Sequence, residues 1–412
     1  MAHAAGSAAY TGELVVVGAN DNPMPGRGLY KLFDTFQKAH PGVKITYQTL
    51  PSNRFVALFT AKQASGEQVD ALALNGQDVR RYALAGALAP LDTISTLKEE
   101  QSRFQPYALD TYTINKHLYA QPIGAQDGFP IFVNKALLDR VHLPLPKTYA
   151  DLQRINAALG KQGIATFTHQ GRNIYLWPVW FFTTFAQVTG NRSIARTFQI
   201  LSGKGKFTDP DVVKALDLIF QFSRDGLFSK DVLSIDTPGA QVEFLTGRAA
   251  FWMWYSSAVI QPVRAQKPPM MDLQATVMPK LVNNRALSQF PGGVGGVSLY
   301  AKIDAQRKQI AVELVDFLTT DASDAYLVQD GSEPTGVNKR ARTSNDPVAL
   351  QIKGLLGNMT TYLDWYWPPE VTRAFQEGIQ AGVAGNLTAA AVAKDIQSTF
   401  DGLVAGGYKF NG

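Results

Sequence analysis

The sequence predicts an α/β protein with more than one domain, and two observations support this prediction. Short apolar runs alternate with segments whose apolar residues recur at helical spacing, a pattern typical of a mostly parallel sheet with connecting helices. The chain has 412 residues, more than one hydrophobic core ordinarily holds, which favours two or three domains.

The first α/β region opens with the apolar run GELVVVGAN at residues 12–20, which predicts a buried strand followed by a loop. An amphipathic helix is predicted from residue 28, because apolar side chains recur there at i, i+3, i+4 and i+7. Pro41-Gly42 ends this helix before a second strand. The pattern then repeats as a helix at 53–64, a strand at 70–75 and a helix at 78–86. In such sheets ligands bind at the carboxyl ends of the strands.

A second α/β region is predicted after the segment 118–134. Thr148 stands three residues before Asp151, a spacing typical of a capping box at a helix start, and Thr208 with Asp211 repeats it. The remaining predicted elements are a glycine-rich segment leading into a strand at 291–301, a helix at 310–320 and a helical tail at 371–404.

Composition and motifs argue against several classes of function. The net charge is +5, but the basic residues are scattered, whereas nucleic-acid binding needs them concentrated on one face. The sequence has no cysteine, and its five histidines are isolated, so neither a disulfide nor a metal site is expected. Dinucleotide, phosphate-loop and nucleophile-elbow motifs are missing. We therefore expect no enzyme activity and no cofactor.

The order of several short motifs resembles the extracellular solute-binding proteins of family 1, the maltose-binding-protein type that serves sugar ABC importers. The similar segments are LFDTFQKAHPGVKITY, VDALALNGQDVRRYALAGALAPLD at 69–92, HLYAQPIGAQDGFPIFVNKALLDRVHLPLPKTYADL at 117–152, FLTGRAAFWMWYSSA and FPGGVGGVSLYA…AVELVDFLT. Val133 and Tyr149 replace the aromatic residues that the family usually has at these two positions. The resemblance extends over residues 12–404.

The resemblance implies a two-lobed, periplasmic-binding-protein-like α/β fold with the ligand in the cleft between the lobes. We expect an N-terminal lobe of residues 12–124 and 296–335 and a C-terminal lobe of 128–292 and 340–412. Hinge crossings are expected near 125–128, 292–296 and 335–340.

By resemblance, this chain is an extracytoplasmic monomer that captures a mono- to trisaccharide by lobe closure and delivers it to an ABC permease. The first twelve residues lack the basic and apolar regions of a signal peptide, so we expect a signal to be absent from this sequence. The mature protein would be a periplasmic protein or a cell-surface lipoprotein. The alternatives are a binder of a non-sugar solute, a sugar sensor with the same fold and a carbohydrate-active enzyme.

A sugar offers hydroxyl groups at its rim and apolar C–H faces, so its site combines polar side chains with aromatic rings. In loops after predicted strands or near crossings, the candidate ligand-binding residues are Asn20, Asp21, Asn75, Gln77, Asp127, Arg172, Asn173, Tyr175, Gly292, Gly293 and Glu333. Asp127 also aligns with a ligand-binding carboxylate of the family. Asp78 is expected to cap the helix that follows.

Two aromatic segments supply the remaining candidates. In AAFWMWYSSA, a strand would alternate its two faces, so half of the segment would pack inward while Trp252, Trp254 and Tyr255 form a sugar platform. In YLDWYWPPE, Trp365 and Trp367 lie two residues apart and cannot both face the same way in a strand, so only one of them is expected to contact ligand.

Overall fold

The computed structural model describes residues 10–19, 25–51, 54–266, 271–282, 290–331, 334–340 and 342–410. The strands are β1 Gly12–Ala19, β2 Val43–Leu50, β3 Ala71–Leu74, β4 Thr113–Ile114, β5 His117–Leu118, β6 Gln121–Gly128, β7 Ile131–Asn134, β8 Ala165–Thr168, β9 Ala249–Met253, β10 Leu273–Thr276, β11 Phe290–Leu299 and β12 Met359–Thr361.

The helices alternate with these strands through much of the chain. They are α1 Gly28–Ala39, α2 Phe55–Ser65, α3 Gly76–Leu84, α4 Ser95–Glu100, α5 Pro106–Asp110, α6 Lys135–Arg140, α7 Tyr149–Gly160, α8 Pro178–Val188, α9 Ser193–Leu201, α10 Pro210–Arg224, α11 Thr237–Leu245, α12 Ser256–Ala265, α13 Ala305–Leu318, α14 Asp321–Gly331, α15 Pro347–Leu355, α16 Pro369–Val383 and α17 Ala389–Ala405. Among the described residues, no helix is long and apolar enough to cross a membrane.

The chain forms two compact α/β units. Unit 1 holds the described residues up to Gln126 together with Gly293–Ser344, and unit 2 holds Asp127–Gly292 and the residues from Asn345 onward. The changes of unit therefore fall after residues 126, 292 and 344. Residues 340–344, which the sequence prediction placed in the second lobe, belong to unit 1.

Unit 1 is built on a sheet with the strand order β2-β1-β3-β11. Strand β1 is parallel to both β2 and β3, whereas β11 is antiparallel to β3. Leu14 and Val16 of β1 pack on one side with the buried side of α1, and Val15 and Val17 pack on the other side. The strand is apolar throughout because both faces of the sheet are covered.

Unit 2 contains a sheet with the order β10-β7-β9-β8. Strand β8 is parallel to β9, whereas β7 is antiparallel to both β9 and β10. The mostly parallel arrangement predicted from the first α/β region therefore does not extend to this sheet. All five residues of β9 are buried, because both faces of the strand are covered.

One predicted helix start is confirmed and the other is wrong. Thr148 and Asp151 form a reciprocal capping box at the start of α7. At α10 the N-cap residue is Asp209 rather than Thr208, and no side chain caps that helix end. Instead, Asp209 and Asp211 both bind the Arg196 side chain, so their carboxylates join α9 to α10.

Helix α16 approaches α10 closely at Gly382. A Cβ atom at this position would lie 2.0 Å from Cζ of Phe220, whose ring is buried. We expect Gly382→Ala to lower the free energy of unfolding by about 1–3 kcal/mol through overpacking. Denaturant unfolding measures this, with Gly354→Ala as the control, since a Cβ atom there meets nothing within 4 Å. Equal stability of the two variants would contradict the prediction.

Candidate functional site

Unit 2 brings several loops to one edge of its sheet. Because β8 and β9 are parallel, the segments after Thr168 and after Met253 leave the sheet at the same edge. Strand β7 is antiparallel to β9 and pairs Ile131 with Met253, so its amino end lies at this edge too. The Trp254 amide donates to the Pro130 carbonyl at 3.3 Å, which joins the two segments beyond the paired strands.

A continuous group of aromatic rings lies at this edge. Trp254 contacts Phe129 and Tyr255, with ring centroids 5.2 and 4.6 Å away. Tyr362 contacts Phe129 at 5.8 Å and Trp365 at 4.9 Å. We call these five residues the aromatic face. Tyr255 is 38% exposed and Tyr362 and Trp365 are half-buried, whereas Phe129 and Trp254 lie almost wholly beneath the surface.

Trp252 does not have the exposed surface that a ligand contact needs, because its side chain is 0% exposed. Its ring lies nearly parallel to that of Trp254, with centroids 5.9 Å apart. Its Nε1 donates to Oε1 of the buried Gln170 at 2.8 Å. The sequence prediction that Trp252 contacts ligand is therefore wrong. Trp252 instead packs against the Trp254 ring within the core.

The second aromatic segment forms a 3₁₀ turn at Leu363–Trp365 rather than the strand assumed from sequence. Trp367 is buried and stacks on Phe375 of α16 at 4.1 Å, with 15° between the ring planes. Trp365 retains an accessible surface. Of the two tryptophans, Trp365 is thus the one able to contact a ligand.

The loop after β8 carries three further candidates. Arg172 and Tyr175 are exposed, so both side chains are accessible to solutes. Asn173 is half-buried and its Nδ2 donates to Oγ1 of Thr237 at 3.0 Å, which fixes the loop to the start of α11. The Trp177 indole donates to the Gly171 carbonyl at 3.0 Å and anchors the same loop from below.

In unit 1, Asn75 and Gln77 lie at the start of α3, directly after β3. Asn75 is the N-cap residue, and its side chain accepts from the Asp78 amide at 2.9 Å. The cap was expected at Asp78, which is instead buried and paired with Arg81. Burial raises the pKa of the Asp78 carboxyl despite that cation.

Several predicted site residues cannot be placed in full. Asn20, Asp21 and Glu333 lie outside the described residues, as does the Asp127 side chain. The backbone of Asp127 belongs to β6, and Gly292 and Gly293 belong to β11, where Gly292 pairs with Thr361 of β12.

Sequence reasoning missed three residues of the candidate site in unit 2. Phe129 and Tyr362 join the aromatic face, and Gln170 holds Trp252. Phe129 and Tyr362 both lie in segments from which other residues were predicted to bind ligand. Their aromatic side chains, next to those predicted residues, could have indicated them. Nothing in the local pattern distinguishes Gln170, because its partner is 82 residues away.

Two titratable groups with inaccessible polar atoms lie close to this edge. His169 directly follows β8, and burial lowers its pKa to about 3, so the ring is neutral. Asp364 lies in the 3₁₀ turn between Tyr362 and Trp365, and burial raises its pKa to about 7. Among the described residues, no cluster of three or more acidic, histidine or cysteine side chains could hold a metal ion.

The family model of the bacterial extracellular solute-binding proteins matches residues 20–325, most of the chain. This chain belongs to that family. A probable sugar-binding periplasmic protein of Rhizobium meliloti (strain 1021) is 27% identical to this family member over 118 residues, 28% of each chain. An uncharacterized ABC transporter extracellular-binding protein of Pyrococcus horikoshii, PH1039, is 23% identical over 45% of this chain and 44% of its own. The matches thus span less than half of either relative.

Solved structures share the fold of this solute-binding protein over nearly its whole length. A chitin oligosaccharide binding protein has a TM-score of 0.83 at 18% identity and covers 96% of this chain and 99% of its own. Maltose-bound MalE3 of T. maritima has a TM-score of 0.77 at 19% identity, over 95% and 99%. The predicted two-lobed α/β fold class is thereby confirmed.

Proposed function

We propose that this chain captures a mono- to trisaccharide by closure of its two lobes and delivers it, as a monomer, to an ABC transporter permease. It performs no chemistry on the ligand and works outside the cytoplasm, as a periplasmic protein or as a lipoprotein. The observation that carries this proposal is the aromatic face, where partly exposed rings rest on buried ones at the carboxyl ends of β8 and β9.

The chemistry of the aromatic face suits a sugar. Its rings offer flat apolar surface for C–H groups, and Tyr255 adds a hydroxyl at the exposed end. Arg172 and Tyr175, exposed in the neighbouring loop, supply hydrogen-bonding groups for hydroxyls. The structural neighbours named above are described as binding a chitin oligosaccharide and maltose, which supports a saccharide ligand here as well.

Intrinsic tryptophan fluorescence tests the proposal against a panel of mono-, di- and trisaccharides that includes maltose and N-acetylglucosamine oligomers. We expect saturable quenching or a spectral shift, because Trp254 and Trp365 both belong to the aromatic face. Micromolar dissociation constants are expected, corresponding to about −8 kcal/mol, since the ligand must also be released. Thermal unfolding should move to higher temperature with the same sugar. A flat response across the panel, from a protein that melts cooperatively, would contradict a sugar ligand.

A further inference from the structure

A cavity of about 570 Å³ is lined by residues of unit 1, whereas the residues of the aromatic face all belong to unit 2. Three chain segments supply its walls. The lining residues are Glu100, Ser102, Arg103, Thr320, Asp321, Ala322, Asn338, Lys339 and Arg340. None of them belongs to the candidate sugar site.

Backbone pairing fixes two of these walls against each other. Phe104 and Asn338 form an antiparallel bridge. The Lys339 amide donates to the Arg103 carbonyl at 2.8 Å. The Lys339 ammonium also donates to the Ser102 carbonyl at 2.8 Å. These bonds join the two walls to each other and hold the Lys339 side chain, whereas the Arg340 side chain is 86% exposed.

A buried amide donor in this cavity lacks an acceptor. Asn338 is 1% exposed, and its Oδ1 accepts from the Arg340 amide at 3.3 Å, which sets the orientation of the side-chain amide. Its Nδ2 has no hydrogen-bond partner in the part of the chain that the structure describes. A buried donor left in this state costs about 1–3 kcal/mol. Because Nδ2 itself has almost no accessible surface, an acceptor atom of a bound ligand would remove that cost only after a small shift of the cavity wall.

The start of α14 contributes further donors. Oγ1 of Thr320 accepts from the Ser323 amide at 3.2 Å. The amides of Asp321 and Ala322 belong to the first turn, where no carbonyl of the helix itself can accept from them. This end of an 11-residue helix also carries the positive pole of its dipole, which favours an anion.

The charges of the lining residues favour an anion as well. Arg103, Lys339 and Arg340 stand against the carboxylates of Glu100 and Asp321. Arg103 already binds the carboxylates of Glu100 and Asp316, so the cations left for a ligand are Lys339 and Arg340. Asp321 and Arg340 are 3.7 Å apart and both mainly exposed, so this weak pair is easily exchanged.

We propose that this cavity binds a phosphate group, either as free phosphate or as the headgroup of an anionic phospholipid. A tetrahedral ligand presents oxygen atoms in several directions, which matches donors that come from α14, from Asn338 and from Lys339 and Arg340. The proposal is independent of the sugar-binding function, because it uses other residues of the other unit.

Calorimetric titration of the full chain with inorganic phosphate at low ionic strength tests the proposal, since salt screens such contacts. We expect one site. Lys339→Gln should weaken binding about fivefold, and Asn338→Ala about tenfold or more, because a buried hydrogen bond to a charged ligand is lost. Lys302→Gln, an exposed change of equal charge outside the cavity, should bind like the wild type. If Asn338→Ala fails to fold, Lys339→Gln and Arg340→Gln decide.

Sedimentation with vesicles separates the two sources of phosphate. Binding to phosphatidylglycerol but not phosphatidylcholine vesicles, lost in Lys339→Gln and kept in Lys302→Gln, would assign the cavity to a lipid headgroup. Calorimetric binding without vesicle binding would assign it to the free anion. The proposal is overturned if neither probe binds, or if Lys302→Gln weakens binding as much as Lys339→Gln.

Discussion

Replacement of Trp254 by alanine is expected to lower the free energy of unfolding by about 3–5 kcal/mol and to abolish sugar binding. The stability loss follows from burial, because the side chain is 5% exposed and packs between Phe129, Trp252 and Tyr255, and truncation of a buried Trp leaves a large cavity. Binding should fail because Phe129 and Tyr255 both lose the ring that positions them.

Tyr255→Ala separates the two effects of the Trp254 substitution. Tyr255 is 38% exposed, so its removal should change stability by no more than about 1 kcal/mol. It should still weaken sugar binding about tenfold, since an aromatic contact and a hydroxyl are both lost. Denaturant unfolding and fluorescence titration with the best sugar of the panel measure the two quantities.

A matched control is Tyr408→Ala, which removes a half-buried tyrosine near the C-terminal end of the described residues. Tyr408 packs against Phe400 and not against the aromatic face. Its sugar affinity should equal that of the wild type. If Tyr255→Ala also binds like the wild type, the aromatic face is not the sugar site, even if the chain binds sugar elsewhere. Loss of affinity in Tyr255→Ala alone, at unchanged stability, would locate the ligand at the exposed end of the face.

The spacing of apolar residues in the sequence was sufficient to predict helices such as α1, but not the role of each aromatic residue. Apolar spacing predicted α1 because one side of this helix is buried and the other is not. The same reasoning failed at β9, where alternation was expected to divide the residues between core and surface. Both faces of β9 are covered, so Trp252 is as buried as Phe251, and only the residues after the strand can approach the surface.

Polar roles were harder to predict because they depend on distant partners. Asn75 caps α3, a role that sequence spacing assigned to Asp78. The preference of Gln170 for the Trp252 indole depends on the pairing of β8 with β9, which joins segments about 80 residues apart. The loops after β3 and β8 were both predicted from the sequence. The hydrogen bonds that Asn75 and Gln170 make there depend on how the chain folds around them.

The stability of unit 2 should depend on pH through Asp364, whose Oδ1 is inaccessible to solvent. Burial raises the pKa of this carboxyl from 3.8 to about 7. The folded state therefore favours the protonated form. Its contribution to stability is complete below about pH 4 and is lost as the pH rises through about 7. One pKa unit corresponds to about 1.4 kcal/mol, so the full loss is about 4 kcal/mol.

Asp364→Asn keeps the size of the side chain and removes the titration. The free energy of unfolding of this variant, minus that of the wild type, should therefore rise by about 4 kcal/mol between pH 4 and pH 8. The difference is the informative quantity, because His169 acts in the opposite direction. Burial lowers the pKa of His169 from 6.5 to about 3, so its contribution is lost as the pH falls below about 6.5.

Asp324 of unit 1 offers a second, smaller case, since burial raises its pKa to about 6, and Asp324→Asn should give a rise of about 2 kcal/mol. A constant difference for Asp364→Asn would mean that its carboxyl is hydrated in the folded protein. In that case the turn beside Tyr362 and Trp365 would present a carboxylate to ligands at neutral pH. A rising difference would mean that this end of the aromatic face is uncharged below about pH 7, which suits a neutral sugar better than a cationic solute.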